Sequence, residues 1–221
     1  MLFIAIIKFK ARHLRTLGAI QILGILAQGV LGGITVLTGL NPATVASHFL
    51  LSIVIIAAAL SLRQRAHGIT PTPTHLSPLT ILLGRLALGL SAIVIVVGTV
   101  VTGSGPHAGD STAARFPFDA KTMSWIHADL VIALIGVTVA LMIAIKLGES
   151  AATSLYWGRK VRLFLIVVLS QGAIGYLQYF TGLPEALVAA HIAGATLVWL
   201  CAWNFAITGN LLRSRKGARK A

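Results

Sequence analysis

Gln28-Gly29-Val30-Leu31-Gly32, then Thr38-Gly39-Leu40, Ala43, Val45-Ala46 and His48, return 143 residues later as Gln171-Gly172-Ala173-Ile174-Gly175, Thr181-Gly182-Leu183, Ala186, Val188-Ala189 and His191. Ten of the 21 aligned positions are identical, without a gap. Each copy runs out of one apolar stretch, through a short turn, and into a second apolar stretch with a histidine near its start. The repeat predicts a duplicated helical hairpin with an intramembrane histidine in each copy. A histidine kept through such a duplication points to a paired metal or haem site.

Composition sets the class. The 221 residues are 57% hydrophobic and 10% charged, with a mean hydropathy of +0.90, whereas soluble domains are about a quarter charged. Six apolar stretches, near 17–37, 44–62, 79–102, 122–146, 161–180 and 185–208, reach the roughly 20 residues that a membrane-crossing helix needs. The predicted fold is all-α: a six-helix polytopic membrane protein with one complete four-helix bundle and half of a duplicate. Met1 to Ile7 are apolar but too short to span, and no small-residue cleavage site follows them.

The net charge of +13 is an orientation signal. Sixteen of the 18 Lys and Arg fall at the termini and in alternate connections, and only Arg115 and Lys121 lie on the other side. This bias places both termini in the cytoplasm, against anionic lipid, and the histidine-bearing ends near the outer face of the cell membrane. No aromatic-basic interleaving accompanies the charge, so nucleic acid is not an expected partner. The lone Cys201, inside the last span, reads as a small apolar residue.

Residues 1–62 read as a partial N-terminal half of two helices, and 63–78, with Pro71, Pro73 and Pro78, as a cytoplasmic linker. Residues 79–208 form the C-terminal four-helix bundle, and 209–221 a basic tail. A whole duplication would put two further helices ahead of Met1, so the chain is expected to be a fragment or to have a misplaced start. Upstream DNA encoding two more spans would bear this out.

Three histidines fall inside spans, His48, His127 and His191, each within about two turns of its helix's outer end. Buried polar groups at such depth face a bundle interior, and neutral imidazole is the usual axial ligand of haem iron. One such histidine would ordinarily be a hydrogen-bonded interior residue; three at matched depth favour ligands. Zinc fits less well, because no cysteine or carboxylate completes a tetrahedral set. His127 and His191, on the second and fourth spans of one bundle, are expected on neighbouring helices about 10 Å apart, with a porphyrin edge-on between them. His48 corresponds to His191 and forms a half-site.

Around these, Gly29 with Gly33 and Gly172 with Gly175 offer flat patches, for close helix approach or for a macrocycle. Gln28 and Gln171 are expected to bond helix to helix, with contact to a cofactor's polar group as the sharper alternative. Asp129, about 200° round the helix from His127, is a poor partner for it. Glu185 serves a helix N-terminus. His13, His67 and His75 read as solvated, His107 as a solvated turn residue or a contact to a haem edge, and Trp125, Trp157, Trp199 and Trp203 as interfacial anchors.

At these residues the chain resembles the heme A synthase family. The resemblance rests on Gln28-Gly29 with Thr38-Gly39-Leu40 and His48, on the run Thr102-Gly103-Ser104-Gly105-Pro106-His107-Ala108-Gly109-Asp110, and on His127. It continues through Gln178-Tyr179-Phe180-Thr181-Gly182-Leu183-Pro184 to His191, covering nearly the whole chain in order. It implies an oxidoreductase of haem A biosynthesis that oxidises the C8 methyl of haem O to a formyl group. It further implies a haem b cofactor held by His127 and His191 through which electrons leave, with haem O, the substrate, bound at His48. Haem O synthase or cytochrome oxidase assembly factors are the implied partners. The family's first two spans, which carry its acidic catalytic residue, have no counterpart here, so the catalytic residue is unknown and activity of this chain alone is expected to be low. The contrasting expectation is a non-catalytic b-type cytochrome or haem-binding assembly factor. A transporter with repeated halves fits less well, since its site would lie at the midplane between broken helices.

Overall fold

The computed structural model describes residues 12–66, 76–106, 112–209 and 211. His67, His75, His107, the side chain of His13, and most of the linker and tail lie outside them. The described residues form six helices and no strand: α1 (Arg12–Leu37), α2 (Pro42–Ala66), α3 (Pro78–Ser104), α4 (Ala120–Gly148), α5 (Ala151–Phe180) and α6 (Glu185–Thr208). All six are long and apolar enough to cross a membrane, which makes this a multi-pass membrane protein.

Local chemistry sets the starts. Ser77, Asp119 and Ser150 cap α3, α4 and α5, each side chain accepting a hydrogen bond from the backbone amide three residues on. Asn41 does similar work for α2, accepting from the Ala43 amide at 3.0 Å, with Pro42 in the first position. The Ser150 cap moves the start of α5 ten residues ahead of the expected 161. Arg159, Lys160 and Arg162 therefore ride on a 30-residue helix rather than in a connection.

The two repeated turns close alike. Gly39 and Leu40 have φ of 62° and 57°, and Gly182 and Leu183 have 77° and 58°. The Leu40 amide donates to the Thr35 carbonyl at 2.9 Å, and the Leu183 amide to that of Gln178 at 2.7 Å. Both are Schellman-type closures that satisfy carbonyls at a helix end.

Helices α3 to α6 form a ring in which each packs on the next and α6 returns to α3. Helix α2 lies outside, against α3 and α6, and among the described helices α1 packs on α2 alone. Two bonds from indole rings fix α2 to α6: Trp199 Nε1 donates to the Ile53 carbonyl at 3.0 Å and Trp203 Nε1 to Ser61 Oγ at 2.9 Å. Trp157 is buried in the core between Phe205 and Val161. Of the four expected anchors only Trp125 is largely exposed; Trp157 and Trp199 are buried and Trp203 half-buried, and the indole donors of Trp199 and Trp203 find acceptors on α2.

Candidate functional site

The site begins at the floor that the ring supplies. Val94, Leu134, Val168 and Val198, one from each of α3, α4, α5 and α6, are all buried and belong to one apolar cluster. Above them lies a cavity of about 820 Å³, lined as far as Pro42, Pro106 and Leu183, within the roughly 300–1,000 Å³ usual for ligand and cofactor sites.

His127 and His191 stand two turns above Leu134 and Val198 on the same faces. His48 and His191 are each the seventh residue of their helices and His127 the eighth, so all three lie at one depth. The imidazoles of His127 and His191 face each other with ring centroids 6.3 Å apart and planes at 69°. Two metal–nitrogen bonds of about 2.0 Å with the two imidazole half-rings beyond them would span roughly 6 Å from centroid to centroid. The observed pair has that span. Its helices are not neighbours, however: α4 and α6 are diagonal in the ring and make no backbone contact among the described residues. The diagonal sets the two rings across the bundle interior.

A glycine seats each ring. A Cβ at Gly98 would come within 3.1 Å of His127 Cε1, one at Gly175 within 3.3 Å of His191 Cε1, and one at Gly32 within 3.3 Å of His48 Cε1. The three Nδ1 atoms lie on that side, buried and without a hydrogen bond of standard geometry. Backbone carbonyls one turn before the glycine interact with two of them, Val94 with His127 and Gln171 with His191. Orientation by such a carbonyl is the usual way to present Nε2 as the ligating nitrogen.

Gly98 gave no signal in the sequence, because the α3–α4 hairpin does not share the repeat; its distance from His127 in the chain hides the pairing. Gly29 and Gly33 do not bring helices together, since a Cβ at either would meet nothing within 4 Å. Gly24 does so instead, against Ile55. Gly175 and Gly32 serve imidazoles rather than a macrocycle directly.

The duplicated glutamines have diverged. Gln28 donates to the His48 carbonyl at 3.1 Å and to Ser52 Oγ at 2.5 Å, bonding helix to helix as expected. At Gln171 the position of Ser52 is Ala195; the carboxamide lies against Gly194, and its Oε1 is buried without a partner. Gln171 and Gln178, whose Oε1 is likewise unpartnered, both line the cavity. Asp129 borders the same cavity, though it leaves the helix about 200° round from His127. Among the described residues no group of three His, Cys, Asp or Glu gathers, so the facing donors are two imidazoles.

No family model, curated protein or solved structure matches the chain.

At the rim, Phe116 donates its amide to the Gly103 carbonyl at 3.0 Å and fills the space beside Gly103. Arg115 donates to the Pro106 carbonyl at 2.9 Å, turning the connection across the end of α3. Lys121, on the same rim, holds its Nζ 4.9 Å from the Trp125 ring.

Proposed function

We propose that this protein is a membrane haem enzyme of the heme A synthase type, holding haem b between His127 and His191 and oxidising the C8 methyl of haem O to a formyl group. The observation that carries the haem site is the facing imidazole pair, 6.3 Å between centroids above an apolar floor. The donors suit the group: two neutral imidazoles, each seated on a glycine, and a cavity of cofactor size. The choice of reaction rests on the sequence resemblance.

His127 and His191 would hold the iron through Nε2. Val94, Leu134, Val168 and Val198 exclude water beneath, and the free carboxamide oxygens of Gln171 and Gln178 offer polar contacts at the walls. Bound there, haem b supplies one-electron transfer, its potential set by axial ligands and burial. His48 belongs to the substrate half of this reading. The charge bias puts the basic ends in the cytoplasm and the haem end at the outer face of the cell membrane.

A second reading is a b-type cytochrome or oxidase assembly factor. It is favoured by one feature: among the described residues only one pair of imidazoles, His127 with His191, comes into ring contact. Extraction of pigment from the purified protein separates the two. Haem b with haem O or haem A supports the enzyme; haem b alone, with a low-spin bis-imidazole spectrum, supports the cytochrome. A protein that holds no haem, or whose haem survives His127→Ala and His191→Ala unchanged, overturns both.

A further inference from the structure

The cavity has unlike ends. At its floor Val94, Leu134, Val168 and Val198 are buried and apolar. At its rim stands Lys121, the one Lys or Arg among the described residues that line it. Lys121 precedes His127 by six residues, so its Cα lies about 9 Å nearer the start of α4, while Leu134 lies about 10 Å the other way. Asp129 borders the cavity as well, but two residues beyond His127, about 3 Å toward the floor. The cation is at the rim, and the carboxyl lies below the imidazoles.

Lys121 is placed to take a ligand. Arg115, the other basic residue at this end, is engaged: its guanidinium donates to the carbonyls of Ala113 and Pro106 at 3.0 and 2.9 Å. Asp119, the nearest acid along the chain, uses Oδ2 to accept from the Thr122 hydroxyl and amide at 2.6 and 2.7 Å. Lys121 itself is exposed, with Nζ resting 4.9 Å from the centre of the Trp125 ring, and Trp125 lines the cavity too. Helices α2, α4 and α6 all begin at this end, and their N-termini add positive potential there.

We propose that Lys121 binds the propionate carboxylates of the haem held by His127 and His191, and so fixes which edge of the porphyrin faces the rim. The inference rests on the haem site of the proposed function. Imidazoles facing each other across the bundle require a porphyrin plane that stands along its axis, one edge toward the floor and the other toward the rim. A haem b carries both propionates on one edge and vinyl and methyl groups on the opposite one. A carboxylate set against four buried aliphatic side chains would lose its hydration with nothing in exchange. Asp129, being an acid, supplies no positive charge at that depth. The rim offers an ammonium, helix N-termini and water, and anchoring the propionates there lays the vinyl and methyl edge on the apolar floor.

The test titrates the full chain in neutral detergent with haem b and with its dimethyl ester, in which both carboxylates are capped, and follows the bis-imidazole absorption band. The native chain should bind haem b more tightly than the ester, and the gap should narrow as salt rises. Lys121→Met should weaken haem b binding about 5-fold and leave the ester unchanged; Lys121→Arg should hold haem b as the native chain does. Lost affinity for both ligands alike, or for neither, overturns the proposal. So does loss of bound phospholipid phosphate from the Lys121→Met particle with haem affinity unaltered, which would make the lysine a lipid headgroup contact. A native chain that gives the bis-imidazole spectrum with both ligands at equal affinity sinks this proposal alone. A native chain that gives that spectrum with neither sinks the His127–His191 reading and this proposal with it.

Discussion

His127 and His191 are placed by what lies behind them as much as by their own helices. Gly98 and Gly175 let each imidazole lie against a neighbouring helix, where a methyl group at 3.1–3.3 Å from Cε1 would force the ring to move by a few tenths of an ångström. Gly98→Ala is therefore expected to weaken haem b binding by about 10–100-fold, the usual effect of disturbing what orients a ligand, with the protein still folded. Haem titration of the variant against wild type checks this; unchanged affinity would mean that the glycine serves packing only. The histidines and the repeated glycines were legible in the sequence. Gly98 was not, since what marks it is proximity to a ring 29 residues away.

At the scale of elements, the repeated Thr-Gly-Leu turn carries two consecutive left-handed residues in each hairpin. Glycine adopts that region freely and leucine does not, so Leu40→Gly should stabilise the α1–α2 turn by roughly 0.5–1 kcal/mol and Gly39→Ala should destabilise it by about 1 kcal/mol. Opposite shifts in thermal midpoint, read on the purified protein, are the expected result. The start of α4 is a pH-sensitive element. Asp119 Oδ2 accepts from the Thr122 hydroxyl at 2.6 Å and its amide at 2.7 Å, and these bonds, the hydroxyl's first, hold the carboxyl below its ordinary range. A depressed folded-state value means the contribution is present above the unfolded value and fades as pH falls through the folded one. Asp119→Ala should lower the melting temperature at neutral pH and lose that difference in acid. The capping residues were readable in advance only in part: Glu185 announced its helix, whereas the Ser150 cap lay hidden ahead of a basic segment that resembled a connection.

At the scale of the molecule, α1–α2 is held to the bundle by Trp199 to Ile53, Trp203 to Ser61, and Gln64 to Asn204 at 2.5 Å. Trp199→Phe keeps an aromatic ring but deletes one bond and part of the buried volume, at a cost of at least about 1 kcal/mol. Together with Trp203→Phe it should loosen α1–α2 while leaving the haem proposed at His127 and His191 in place. Faster proteolysis of the α2–α3 connection with an unaltered absorption spectrum is the expected pairing; loss of the spectrum would show that the two parts stand or fall together. The opposite end has its own tie: the Ser77 amide and the Thr80 hydroxyl both donate to Glu149 Oε1, at 2.8 and 2.7 Å, joining the start of α3 to the end of α4.

The sequence by itself determined the helices, the membrane class, the internal duplication and the common depth of three histidines, because hydropathy, helix period and repeat spacing are local properties of a chain. It assigned all four tryptophans to the membrane interface, though Trp157 and Trp199 lie inside and Trp203 is half-buried, because a chain position near a helix end does not say which way the ring turns. Only the tertiary structure set α4 and α6 on a diagonal and brought Gly98 under His127. Those outcomes depend on which helices touch, and that is settled by side-chain packing between segments far apart in the chain.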